Sequence, residues 1–329
     1  MTMLRRLLPA LAAVTLAACA GAVSVTPPLT PVAGWTTGAA STRPVGLGLP
    51  GGARLAEGVR FAGGIELVLD PTSPLHSLSD LKLTGDAQGD GGFVSVTDAG
   101  DLVRGRLVLD ARGRLTGVSG LQHRRLTLLD GAPIVDKVDG DAEGLLVTDG
   151  GDLFISFERN HRIWDYGSAD APRAMPTPVR HPDVALPLND GMEGISAARD
   201  GGWRGAAENG GGWGCRPAAC RVVTPPPATP PTDGDYRTTG MDRDPAGQGY
   251  VIVQRSYRPP LDARARIRRV GEDGALGPVL VELKLPGTTD NFEGIAAVAR
   301  EGGMRLYILS DDNSNPAQRT LLLAFDVAN

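Results

Sequence analysis

Asn291-Phe292-Glu293-Gly294-Ile295, leading into Leu306-Tyr307-Ile308-Leu309-Ser310-Asp311-Asp312-Asn313, reads as an acid, a glycine and an aliphatic residue followed by a β-rich run that ends in a polar cluster. The same order recurs upstream. Asp141-Ala142-Glu143-Gly144-Leu145 leads to Leu153-Phe154-Ile155-Ser156-Phe157-Glu158-Arg159, and Gly191-Met192-Glu193-Gly194-Ile195 leads to Ala206-Ala207-Glu208-Asn209. Gly240-Met241-Asp242 leads to Tyr250-Val251-Ile252-Val253-Gln254-Arg255, and Leu78-Ser79-Asp80-Leu81 to Phe93-Val94-Ser95-Val96-Thr97-Asp98. The first acids stand at 80, 143, 193, 242 and 293, separated by 63, 50, 49 and 51 residues. Short alternating strands between Gly- and Asp-rich turns, with no sustained helical period, predict an all-β chain. A period of about 40–50 residues with about four strands per unit is the pattern of a β-propeller. Chain length favours six blades, the sixth built from strands near Arg60–Leu69 and Thr320–Val327, with five blades as the alternative.

The repeat occupies residues 51–329. Ahead of it, Arg5 and Arg6 precede an apolar run from Leu7 to Ala18, which is short for a membrane span and fits a signal peptide over residues 1–18. The run ends in Leu16-Ala17-Ala18-Cys19, which resembles a bacterial lipobox, and Ala20 in place of Asp implies outer-membrane sorting. Residues 19–50 then read as a lipidated Cys19 and a Pro-, Thr-, Ala- and Gly-rich tether, so the domain is expected to be exported and to face the periplasm, touching the membrane only through that lipid. Losing residues 1–18 leaves 31 basic against 38 acidic residues, a charge of −7. An acidic chain is unsuited to neutralising phosphates, which argues against nucleic acid as a partner. Only Lys82, Lys137 and Lys284 among the 33 basic residues are lysine, which reads as genome composition rather than chemistry. In an exported chain Cys215 and Cys220 are expected to close a small disulfide loop, next to a Pro-rich surface insertion.

The acids of the repeat, together with Glu143-Gly144, Glu193-Gly194, Glu293-Gly294 and the ending Ser310-Asp311-Asp312-Asn313, resemble the bacterial phytase-like family, described as having esterase-like activity of phytase. The resemblance spans about Leu55 to the C-terminus and implies hydrolysis of a phosphate or other ester. The Asp-Ala-Asp-Asp-Pro-Ala signature of calcium-dependent β-propeller phytases is absent.

In a propeller the first strand of each blade lines a common channel, so one position of the repeat reappears around a ring. Asp80, Glu143, Glu193, Asp242 and Glu293 are therefore expected to converge. Their mutual repulsion calls for a cation, and hard oxygen ligands suit Ca²⁺, or Mg²⁺ with retained waters. The other reading is that each acid caps a turn or pairs with an arginine inside its own blade. A second position, 13 to 19 residues on, carries Asp98, Glu158, Arg159, Glu208, Arg255 and Asp311 near one mouth of the channel. Arg159 and Arg255 are candidate clamps for an anionic substrate, or else ion-pair partners of neighbouring acids. His161 is either an acid–base group or a surface residue. No G-x-S-x-G elbow or Walker lysine loop is present, and the G-x-G-x-x-G match at 46–51 lacks a βαβ setting. Two functions follow: a cation-assisted ester hydrolase acting on a small anionic or ester substrate, or a non-catalytic binding propeller with a structural channel ion.

Overall fold

The computed structural model describes residues 34–85, 91–247 and 249–329. The proposed signal peptide, Cys19 and the first part of the tether lie outside the described residues.

The described chain is a β-propeller built of antiparallel meanders. The first meander comprises Leu78–Thr84, Gly92–Thr97, Asp101–Leu109 and Leu115–Arg125. The second comprises Ala142–Val147, Asp152–Phe157, Arg162–Ser168 and Thr177–Pro178. The third comprises Gly194–Ala197, Trp203–Ala206, Gly212–Cys215 and Cys220–Thr224. The fourth comprises Arg237–Arg243, Tyr250–Arg258, Asp262–Val270 and Leu276–Lys284, with Ala53–Leu55 added at its outer edge. The fifth comprises Asn291–Arg300, Gly303–Asp311 and Thr320–Ala328.

Closure comes from the N-terminal side. Val59–Val68 pairs antiparallel with Thr320–Ala328 as the fourth strand of the fifth meander. The two segments expected to make a separate sixth unit therefore belong to one sheet with Asn291–Arg300. Pairing Val59–Val68 with Thr320–Ala328 covers an edge of each strand that would otherwise stay open. Each first strand packs against the first strands of the two neighbouring meanders, so the five run round a closed ring.

The tether expectation is corrected for its described part. Thr36–Thr37 pairs with Leu115–Arg125 and Ser41–Pro44 with Val59–Val68. A stretch almost without charge is free to satisfy the backbone groups that these outer strands leave open.

Burial explains why the strands read as they do. Gly303–Asp311 is buried along its whole length because, as a middle strand, it has a neighbouring meander on each face. The outer strand Leu276–Lys284 exposes its first half. The core lies between meanders. Val253, Phe292 and Phe325 belong to the cluster joining the fourth and fifth, while Val94, Leu145 and Tyr166 belong to that joining the first and second. Each such side chain contributes about 1.5–3 kcal/mol by leaving water. Trp164, Trp203 and Trp213 are buried in this packing, and the Arg104 guanidinium stacks on Trp35 at 4.0 Å. Cys215 and Cys220 form a disulfide between adjacent strands. No helix among the described residues is long and apolar enough to cross a membrane.

Candidate functional site

The strand register defines which repeat positions are equivalent. In the second and fifth meanders the first strand has one extra residue opposite its partner. Ala142 and Gly144 pair with Phe157 and Ser156, and Phe292 and Gly294 pair with Ser310 and Leu309. The extra residues are Glu143 and Glu293. Glu193 precedes the paired Gly194 in the third meander, and Thr239 takes the same place in the fourth. A bulge re-aims its side chain, here into the channel. The glycine that follows is required by the neighbour: a Cβ at Gly144 would stand 2.2 Å from the Glu193 carbonyl oxygen, and one at Gly240 2.2 Å from that of Glu293.

Asp80 and Asp242 do not join Glu143, Glu193 and Glu293. The register puts Ser79 at the bulge of the first meander, with Asp80 one residue later, and puts Asp242 three residues beyond Thr239. Both acids tie inner strands together. Asp80 accepts from Lys82 Nζ at 2.7 and 2.9 Å, and from the amides of Leu81 (2.7 Å), Leu145 (3.0 Å) and Ile295 (3.4 Å). It thereby joins the first, second and fifth meanders. Asp242 accepts from the amides of Arg243 and Ala297, each at 2.8 Å. Burial raises the Asp80 pKa to about 6 against the opposing pull of Lys82, and burial also raises that of Asp242. Both bond backbone amides, as the second reading expects, but across neighbouring meanders rather than inside their own.

The second set is equivalent around the ring. The amides of Asp98, Glu158 and Glu208 donate to the carbonyls of Ser77, Asp141 and Gly191, while Arg255 pairs with Arg237 and Asp311 with Asn291. Carboxylate oxygens of Asp141, Glu143 and Glu158 lie within 4.8 Å of one another, as do those of Glu158, Glu193 and Glu208. Glu158 is common to both groups. Cations balance part of this charge. Arg255 Nη2 reaches Glu208 at 3.0 Å and its Nε reaches Glu293 at 3.6 Å, while Arg237 lies 3.6 Å from Glu208. Lys137 bridges Asp98 (2.7 Å) and Asp141 (2.9 Å), and Arg159 pairs with Asp141. The two arginines expected as anion clamps are thus both held in ion pairs.

His161 is not brought to this cluster. Its Nε2 donates to the Pro187 carbonyl at 2.9 Å, and the ring lines a side cleft with His181 and Leu186. The sequence reading also passed over Lys82 and Lys137. Their rarity in an Arg-dominated chain was the available signal, because a compact ammonium is the cation that fits between close carboxylates.

The excess of acids shows in their protonation. Burial, then Asp141 and Glu208, push Glu158 up to about 7. Burial and Asp98 push Asp311 up to about 8. Glu143, Glu193 and Glu293 are raised well above the usual range, by burial first and then by one another and the surrounding acids. Burial also raises Glu208 despite its two arginines. A carboxyl whose pKa is higher folded than unfolded favours the native state while protonated, and loses that advantage as pH rises through the folded value. The window for Glu158 and Asp311 runs from about pH 4 to about pH 8. In chelator, the melting temperature is expected to fall steadily across the upper part of that window. Added Ca²⁺ should raise it most at the alkaline end, where protons compete least. A melting temperature in chelator that stays flat or rises with pH would contradict the clustering of these acids.

Fold and site together define a propeller with a carboxylate-lined channel mouth. The chain belongs to the phytase-like family (esterase-like activity of phytase), whose model matches residues 73–314. No curated protein matches it. Among solved structures it is similar to the major allergen Mala s 1 of Malassezia sympodialis, at 15% identity over 84% of this chain and 91% of that one, TM-score 0.39. It is also similar to a gluconolactonase of Xanthomonas campestris (12% identity, 88% and 98% covered, TM-score 0.42). A third is the PQQ-bound aldose sugar dehydrogenase of Streptomyces coelicolor (13% identity, 88% and 99% covered, TM-score 0.37).

Proposed function

We propose that this chain is a five-bladed propeller hydrolase, lipid-anchored through Cys19 and facing the periplasm, that acts on a small phosphate or carboxyl ester with a divalent cation held at the channel mouth. One observation carries the reading. Glu193 is 4% exposed, and its Oε2 has no hydrogen-bond partner although it stands among other carboxylates. A buried acceptor left unpaired is costly, and a hard cation satisfies it. Glu143, Glu158, Glu193 and Glu208, with Asp141 beside them, supply oxygen ligands suited to Ca²⁺ or Mg²⁺ rather than zinc. When bound, such an ion acidifies water and polarises an ester oxygen. Arg255 and Arg237, now on Glu208, stand where they can turn to an anionic substrate. Asp311, pushed up to about 8, keeps its proton at neutral pH and can supply it to the leaving oxygen.

The test is hydrolysis of p-nitrophenyl phosphate and p-nitrophenyl acetate with Ca²⁺, with Mg²⁺ and with chelator. Turnover should vanish in chelator and in a folded Glu193→Gln variant. Melting on chelation without turnover of either ester would assign the ion a structural role in a binding propeller.

A further inference from the structure

Four of the interfaces between neighbouring meanders are filled by extensive buried apolar clusters. Between the third and fourth the buried apolar set shrinks to Met241, Tyr250 and Ile252. A cleft of about 330 Å³ opens at this place, beneath the Pro-rich connection that includes Pro227 and Pro231. Strand alternation builds its wall. Tyr250, Ile252 and Gln254 line it, whereas Val251 and Val253, one residue out of step, belong to the cluster on the other face of the fourth meander. Trp213, Val270 and Leu276 add to the apolar lining, and Leu276 is 58% exposed. The volume falls within the range of small-molecule sites, about 300–1,000 Å³, and such sites are mostly apolar.

The buried polar side chains of the wall are Arg204, Glu208 and Gln254, and their bonding is turned inward. Gln254 Nε2 donates to Thr238 Oγ1 at 3.2 Å, and its Oε1 accepts from Arg266 Nε at 2.8 Å. Glu208 is held by Arg255 at 3.0 Å. Arg204 Nη2 donates to Glu272 Oε2 at 2.9 Å, while its buried Nη1 faces Gly214, which is not part of the wall. The cleft is therefore apolar, and every charge on its buried wall already has a counter-charge.

We propose that this cleft binds an uncharged, hydrocarbon-rich molecule about the size of a substituted benzene, which completes the core between the third and fourth meanders. A charged ligand would give up its hydration without meeting an unpaired counter-charge. A hydroxyl would exchange its bonds to water for a wall whose buried polar groups are engaged elsewhere. An apolar ligand gains by leaving water, and it fills space that side chains fill at the other interfaces. Such binding asks nothing of the carboxylates at the channel mouth and stands whether or not they hold an ion.

Ligand-observed NMR titrations of the full chain with toluene, ethylbenzene, propylbenzene, benzyl alcohol and benzoate test the assignment. Affinity should rise about fourfold with each CH₂ from toluene to propylbenzene. Benzyl alcohol should bind more weakly than ethylbenzene, and benzoate should not bind measurably. Magnetisation transfer between the ring protons and the Met241 methyl group should place the probe here, since Met241 is buried and part of the wall. Leu276→Ala should weaken propylbenzene by about tenfold, and Ala206→Phe, which puts a ring into the cleft, should abolish binding of every probe. If Ala206→Phe does not fold, the order of the probes on the natural chain and the exposed-site variant Leu276→Ala still decide. No transfer to Met241, affinity that stays flat along the alkyl series, or benzoate binding as well as ethylbenzene would each overturn the proposal. A chain that sediments as a dimer, and that Leu276→Ala turns into a monomer, would give the cleft to a second copy and overturn it too.

Discussion

Lys82→Ala is expected to lower the unfolding free energy by about 3–5 kcal/mol, the usual consequence of stranding one partner of a buried ion pair. The Lys82 side chain is 4% exposed and that of Asp80 is fully buried. Besides Asp80, the ammonium donates to the carbonyls of Leu81 and Ile295, each at 3.2 Å. The same carboxylate accepts amides from three meanders, so its loss of charge compensation is felt at the centre of the ring. The double variant Lys82→Met with Asp80→Asn should recover about half of the loss, because the amide oxygen still accepts backbone N–H groups and the Asp80 charge is gone, while buried Asp242 still loses the nearby ammonium. Urea unfolding measures both. A Lys82→Ala midpoint close to that of the parent, with unchanged slope, would remove the pair from the list of what holds the ring together.

Glu158→Gln should weaken Ca²⁺ binding by about 100-fold, and more than Glu208→Gln does. Glu158 belongs to both carboxylate groups, whereas Glu208 is already engaged by Arg255 and Arg237. The same substitution should raise the melting temperature of the chelated protein near pH 8, since it deletes a charge whose pKa the fold has pushed up to about 7. Calorimetric titration and thermal melting in chelator read these opposite effects on one protein. Undiminished Ca²⁺ affinity would place the ion elsewhere. Weakened affinity with a lowered melting temperature in chelator would mean that Glu158 is structural.

Much of this architecture was open to a reader of the sequence, because covalent spacing survives folding. Strands lying at equal intervals must occupy equivalent places once the ring closes, so Glu143, Glu193 and Glu293 could be grouped beforehand, as could Glu158, Glu208, Arg255 and Asp311. Asp80 and Asp242 were misgrouped for a definite reason. An offset of one residue, as at Asp80, or of three, as at Asp242, is invisible to composition, yet it moves a side chain to the other face of the strand, since successive residues alternate faces. Only the pairings of Leu81 with Ser95 and of Asp242 with Val251 resolve it.

Residue order along the chain was enough to establish an all-β repeat, its approximate period, the disulfide and a concentration of acids on the first strands. It could not say which cation stands beside which acid. The pairing of Lys137 with Asp98, of Arg255 with Glu208 and of Lys82 with Asp80 depends on atoms from different strands arriving within a few ångströms, and so does the cavity beside Arg204. Electrostatic energy falls off with distance in space, and that distance exists only once the meanders have packed.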